Sequence, residues 1–189
     1  MSDQQIVFSA FVLPDAMKRE IISARNRVLE DNGIRPNGFE REEKLHITIK
    51  YFGEVRQSAL HSIFQATERA MGLQPFEIFF DGFSVIYKRN IPKVLYARVT
   101  LPKPAFSLVT ELEQEYSVIG FGNDAGKPFL PHITIKRIRM NGDERFIQCF
   151  PEEFESPRPF VIDTIAVFES IRTDKGSTYK YLKTYNLEG

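Results

Sequence analysis

The sequence predicts an α+β fold of two pseudo-symmetric lobes, with mostly antiparallel sheets flanked by helices. Three observations predict it. The pentapeptide His-Ile-Thr-Ile-Lys occurs twice, at residues 46–50 and 132–136, nearly half of the 189-residue chain apart. A helical segment and a loop precede each copy, so the order of elements repeats with the motif. Strand-like and helix-like segments alternate at first and then give way to a run of strands, the order of an α+β chain. We read the doubling as an old duplication within a single domain, residues 1–189.

The elements follow in order. Residues 6–13 are an apolar run closed by Pro14 and predict a strand. Pro14 and Asp15 open a helix whose Met17, Ile21, Ala24 and Val28 recur at helical spacing, with Asn32-Gly33 as its stop. A loop holding Pro36, Asn37 and Gly38 leads to the first repeat strand, residues 45–52. Residues 57–71 predict a second helix, buried through Leu60, Ile63, Phe64 and Met71. Residues 75–83 and 94–100 predict paired strands around a polar turn region at 86–93. A third helix spans 105–116, with Phe106, Val109, Leu112 and Tyr116 inward. The Gly-rich stretch 120–126 leads to the second repeat strand. A charged turn is expected at 141–144, a loop at 150–159, one strand at 160–171, a turn at 174–177 and a last strand at 178–187.

Composition narrows the function. Lys plus Arg equals Asp plus Glu at 25 each, so the chain has no large electrostatic footprint for long nucleic acid. A local basic pocket for one or two phosphates remains compatible with that balance. The lone Cys149 forms no internal disulfide or zinc framework and suits a reducing cytosol as a buried thiol. The polar N-terminus does not read as a signal peptide and no apolar run is long enough to cross a membrane. We therefore expect a cytoplasmic protein, monomeric and not membrane-bound.

The two repeats carry the chemistry. Ile and Thr favour the pleat, and alternation places His and Thr on one face and both Ile on the other. His46 with Thr48, and His132 with Thr134, thus form two pairs of an imidazole beside a hydroxyl. Histidine titrates near neutrality, so one ring of a pair can hold a proton while the other accepts one. Threonine hydroxyls placed beside them suit the oxygens of a charged transition state. Alternation also puts Lys50 and Lys136 on the histidine face, and Lys44, Lys127, Arg137 and Arg139 lie nearby in sequence. This charge favours an anionic substrate. The third histidine, His61, sits beside the apolar stripe of its helix and reads as a boundary residue. No third His, Cys cluster or acidic pattern completes a metal site, and no Walker-type loop supports ATP use. Tyr51 and Phe11 are candidates to stack a base.

The residues Leu45-His-Ile-Thr-Ile-Lys-Tyr-Phe-Gly-Glu54 and Pro131-His-Ile-Thr-Ile-Lys-Arg137 resemble the two motifs of the 2H phosphoesterase superfamily. Within it they are most similar to the RNA 2′,3′-cyclic phosphodiesterases, also called 2′-5′ RNA ligases. The tail from Phe168 to Tyr179 resembles that family's closing strand, turn and Gly-x-x-Tyr stretch. The resemblance implies a bilobal 2H phosphoesterase-like fold with its site in the cleft, and no metal or other cofactor. It implies RNA ends or small nucleotides with a cyclic phosphate as partners, opened to 2′-phosphates. It assigns His46 as general acid and His132 as general base, with Thr48 and Thr134 on the phosphate; the symmetry of the motifs alone leaves those two roles open. A family arginine matches Arg137, and Tyr51 holds the equivalent place in the first repeat. Strict alternation turns both away from the histidines unless the strand bulges, and favours Lys136. A nucleotide-binding module without turnover, or a 2H enzyme for another cyclic or 2′-5′ phosphodiester, is the competing expectation.

Overall fold

The computed structural model describes residues 4–122, 128–138, 144–154, 158–174 and 176–188. The chain begins with β1 (Gln4–Val12), α1 (Asp15–Asp31), β2 (His46–Arg56) and α2 (Gln57–Arg69). It continues with β3 (Phe76–Lys88), β4 (Ile91–Thr100), α3 (Lys103–Val118) and β5 (His132–Arg137). It ends with β6 (Pro159–Ile162), β7 (Thr164–Thr173) and β8 (Gly176–Asn186). Short 3-10 turns occupy Glu42–Lys44 and Glu144–Cys149.

Two four-stranded antiparallel sheets result, in the orders β2-β1-β7-β8 and β5-β4-β3-β6. Each has a histidine strand at one edge, paired with the strand that precedes a helix in the chain. The two histidine strands, β2 and β5, contact each other where the sheets meet. This is the bilobal α+β architecture and internal symmetry that the repeat predicts.

The core follows the apolar periodicity. Met17, Ile21 and Leu29 are buried on α1, Leu60 and Ile63 on α2, and Leu108, Val109, Leu112 and Tyr116 on α3. One hydrophobic cluster draws from both sheets and all three helices. Phe106 departs from expectation: it is part-exposed, and Leu108 takes the inward place. Phe11 is fully buried and meets Phe76 edge-on at 5.5 Å, so it belongs to the core and cannot stack a base. Cys149 is half-buried, less than expected of a buried thiol.

Two strand expectations change. The single strand expected at 160–171 is two strands in different sheets, β6 beside β3 and β7 beside β1, broken at Asp163. A continuous apolar run carries no sign of a change of sheet, because both halves are buried alike. The polar region 86–93 is mostly strand: β3 and β4 close through Arg89 and Asn90 alone, at φ 52° and 62°. Two successive left-handed residues match the twist of a tight hairpin. Lys127, Arg139 and most of the expected turns at 120–126 and 141–144 lie outside the described residues.

Gly82 allows one close approach. It sits at a bulge of β3 with φ 151°, and a Cβ there would lie 2.0 Å from the Glu152 carbonyl oxygen. The segment crossing it is hydrogen-bonded at both ends, Phe83 N–H to the Pro151 carbonyl and Phe154 N–H to the Asp81 carbonyl, both at 2.9 Å. This brings Phe150 and Phe154 against Phe83 and Phe80, each pair at 4.9 Å.

Candidate active site

The two His-Ile-Thr-Ile-Lys strands share an irregularity. In β2, Ala10 faces Thr48 while Ser9 faces Lys50, so Ile49 is the extra residue of a bulge. In β5, Tyr96 faces Thr134 while Leu95 faces Lys136, so Ile135 is the extra residue. A bulge resets which residues share a face. Residues 46, 48 and 51 therefore lie on one face of the first sheet, and residues 132, 134 and 137 on the matching face of the second. Lys50 and Lys136 are turned to the other side.

Their contacts agree. Lys50 is buried and bridges to Glu113 of α3 at 2.9 Å. Lys136 lies 4.4 Å above the Phe39 ring and donates to the Asn37 carbonyl. The strand edge beside it takes the Glu40 N–H on the Ile135 carbonyl at 2.7 Å. Buried Arg25 holds the same loop by donating to the Glu40 carbonyl at 2.6 Å. The expectation that Lys50 and Lys136 share the histidine face is thus overturned: the bulge consumes one position, and each amine secures the scaffold behind the site. Arg137 and Tyr51, which strict alternation sends away, are brought round instead.

Both histidines are oriented alike. The Nδ1–H of His46 donates to the Lys44 carbonyl at 2.6 Å, and that of His132 to the Leu130 carbonyl at 2.9 Å, each two residues upstream. A carbonyl partner fixes the tautomer, so Nε2 is the reactive nitrogen of each neutral ring. The Thr48 hydroxyl donates to Nε2 of His46 at 3.0 Å.

The surroundings of the two rings differ. His46 is walled by Phe8 at 4.9 Å, Tyr179 edge-on at 5.2 Å and Phe168 at 6.4 Å. Phe8 and Phe168 stack on one another at 5.0 Å. Among the described residues His132 meets a single ring, Tyr96, edge-on at 5.8 Å. Burial lowers the His46 pKa to about 4; the Lys44 carbonyl opposes that shift, and positive charge on His132 and Arg137 adds to it. The charges of both second-repeat residues are thus felt at His46 across the contact of β2 with β5. Arg137 also reaches Tyr179, lowering a phenol pKa that burial and Glu40 raise.

Phe8, Tyr96 and the carbonyl partners were beyond sequence reasoning. Phe8 is one apolar residue in an apolar strand, and only the curl of the sheet brings it to His46. Phe168 and Tyr179 had a signal, the tail stretch that resembles the family's closing strand. His61 is exposed on α2, in keeping with a boundary role. Among the described residues no group of three or more His, Cys, Asp or Glu is placed to hold a metal ion. No helix among them is long and apolar enough to cross a membrane.

Comparison with known proteins bears on this cleft. Residues 12–96 match the LigT-like phosphoesterase family model, which spans the first repeat. The chain is 29% identical to the RNA 2′,3′-cyclic phosphodiesterase of Thermotoga maritima over 153 residues, 78% of each chain. It is 23% identical to the protein of that name from Methanocaldococcus jannaschii over 181 residues, 95% of this chain and 99% of that one. Over its first repeat the chain is thus similar to the LigT-like phosphoesterases. The fold agrees over nearly the whole length: the protein TT0787 of Thermus thermophilus superposes with a TM-score of 0.75 at 22% identity, covering 97% and 98% of the two chains. LigT of E. coli in its apo form gives 0.75 at 20% identity over 100% of both. The two strands that carry the doubled motif, β2 and β5, are in contact in this fold.

Proposed function

We propose that this protein opens ribose 2′,3′-cyclic phosphates, on RNA ends or small nucleotides, to 2′-phosphates by metal-independent two-histidine acid–base catalysis. The observation that carries the reading is the bulge common to both repeats. It supports the reading because it turns His46, Thr48 and Tyr51 to one face of their sheet and His132, Thr134 and Arg137 to the matching face of the other, on two strands that touch. The names of the relatives, RNA 2′,3′-cyclic phosphodiesterases, and of E. coli LigT complexed with 3′-AMP support the substrate class.

In the proposed step His132 takes a proton from water through Nε2, the water oxygen bonds to phosphorus, the P–O3′ bond breaks, and His46 delivers a proton to O3′. The products are a 2′-phosphomonoester and a free 3′-hydroxyl. Thr48 and Thr134 donate to the non-bridging oxygens, and the Arg137 guanidinium offsets their developing charge. Burial holds His46 neutral before substrate arrives. Its acid role therefore requires a proton that arrives with substrate. A phosphodiester anion between the two strands offsets the charge of His132 and Arg137 and raises the affinity of His46 for that proton.

The test is hydrolysis of nucleoside 2′,3′-cyclic phosphates with the product isomer read by phosphorus NMR. His46→Ala and His132→Ala are each expected to lower kcat by about 10²–10⁴-fold, the range for one acid or base. Activity should persist in EDTA. Full activity in either variant, loss in chelator, or tight nucleotide binding with no turnover would each overturn the reading.

A further inference from the structure

A second cavity adjoins the cleft and the hydrolytic step does not use it. It has a volume of about 290 Å³ and lies under the β7–β8 turn, lined in part by Lys18, Arg41, Lys44, Ser177, Tyr179 and Tyr181. That volume is near the lower end for a small-molecule site and fits one nucleotide unit, not a duplex.

Tyr179 is the wall shared with the catalytic cleft. Its ring meets the His46 ring at 5.2 Å, and the Lys44 amine lies 5.9 Å from the same ring. Tyr179 thus touches the histidine and lines the cavity. Tyr181 rests on Phe168 at 4.5 Å and is about half exposed, leaving part of its ring open to a base. Among the described residues, Lys18, Arg41, Lys44 and the hydroxyls of Ser177 and Thr178 line the rest, with Glu43 as a carboxylate.

Each cation has a carboxylate nearby, and those pairs differ in strength. Arg41 and Glu43 are 3.8 Å apart and both about two-thirds exposed, a pair of little net worth that releases the guanidinium to an anion. Lys18 meets the exposed Asp15 at 3.1 Å. Lys44 meets Glu40 at 3.3 Å with both largely covered, so its amine is held in place. Cations, hydroxyls and aromatic rings in one hollow are the chemistry that receives a single-stranded nucleotide: backbone charge is neutralised while a base stacks.

We propose that this cavity binds the phosphodiester and base of the nucleotide next to the cyclic end, so that the enzyme prefers RNA chain ends to free nucleosides. The proposal rests on the phosphodiesterase reading, and its test separates the two. A trinucleotide and a single nucleoside, each ending in a 2′,3′-cyclic phosphate, are compared as substrates of the wild type and of a Lys18→Met, Arg41→Met double variant. The wild type is expected to show a KM about tenfold lower for the trinucleotide, which is the effect of 1.4 kcal/mol. The double variant should lose that advantage and leave nucleoside kinetics unchanged within about twofold. Its salt slope on the trinucleotide should flatten by about 0.7 per lost phosphate contact. Equal KM for both substrates in the wild type, or equal damage to both in the variant, would overturn the subsite and leave the hydrolytic reading standing. If neither substrate turns over, calorimetric binding of a 2′-phosphorylated trinucleotide against a nucleoside 2′-phosphate reads the same preference, and equal affinity again sinks the subsite.

Discussion

Acidification should reveal the burial of His46 as lost stability. The ring lies among Phe8, Phe168 and Tyr179, and burial takes its pKa to about 4 from an ordinary value of 6.5. Between those two pH values the unfolded chain holds a proton that the folded chain does not, so stability rises with pH across this window. The contribution is complete above about pH 6.5, declines as pH falls and is fully lost below about pH 4. At 1.36 kcal/mol per pKa unit the loss is about 3 kcal/mol. Urea unfolding at intervals from pH 7.5 to pH 4 measures it, with His46→Gln as the reference that cannot titrate there. Other groups titrate in both proteins and cancel in the difference. The gap between wild type and variant should be constant above neutrality and move against the wild type by about 3 kcal/mol at pH 4. A gap that stays flat over the window would refute the argument that burial keeps this ring neutral.

Further outcomes follow from the same geometry. Arg137→Met should raise KM for cyclic phosphate by about 10- to 100-fold, from loss of a charge-assisted contact of about 1.5–3 kcal/mol; Lys136→Met should leave KM alone and lower the melting temperature, because its amine serves the loop at Asn37 and Phe39. NMR titration of the His46 ring should give a pKa near 4 in the free protein and a higher one with a nucleoside 2′-phosphate bound; no upward move would contradict delivery of its proton with the anion. Gly82→Ala places a Cβ 2.0 Å from the Glu152 carbonyl oxygen and should lower stability beyond the ~1 kcal/mol typical of point variants, as denaturant unfolding can show.

Much of this architecture was legible because local signals agreed with burial. The helix stripes at Met17 and Ile21, Leu60 and Ile63, and Leu112 and Tyr116 each face the core they predict. The doubled motif foretold both histidine strands and their shared environment. What the sequence did not disclose depends on pairing across strands. Ile49 and Ile135 look like ordinary inward residues, and nothing local marks either as the extra residue of a bulge. That single offset decides that Arg137, and not Lys136, accompanies His132. In the same way the run through Asp163 changes sheet without any change in hydrophobicity, since both of its halves are buried by different partners.

The repeat alone leaves the histidine roles open, and the residues around it supply the asymmetry. Each ring donates through Nδ1 to a carbonyl two residues upstream, each strand bulges at the second isoleucine, and each lysine is withdrawn behind the sheet. Up to that point the halves are equivalent. They diverge at the residue after the lysine, where Tyr51 stands in one half and Arg137 in the other, and in what covers each imidazole. Among the described residues the first ring is packed among three aromatic rings, whereas the second meets one. A cationic ring is disfavoured in the first setting, and Arg137 disfavours it further from across the cleft. In the proposed reaction a phosphodiester anion between the strands would offset the second penalty, the positive charge of Arg137. This asymmetry would then make protonation of His46 conditional on substrate in that reaction, which is what would separate an acid from a base in an otherwise symmetric pair.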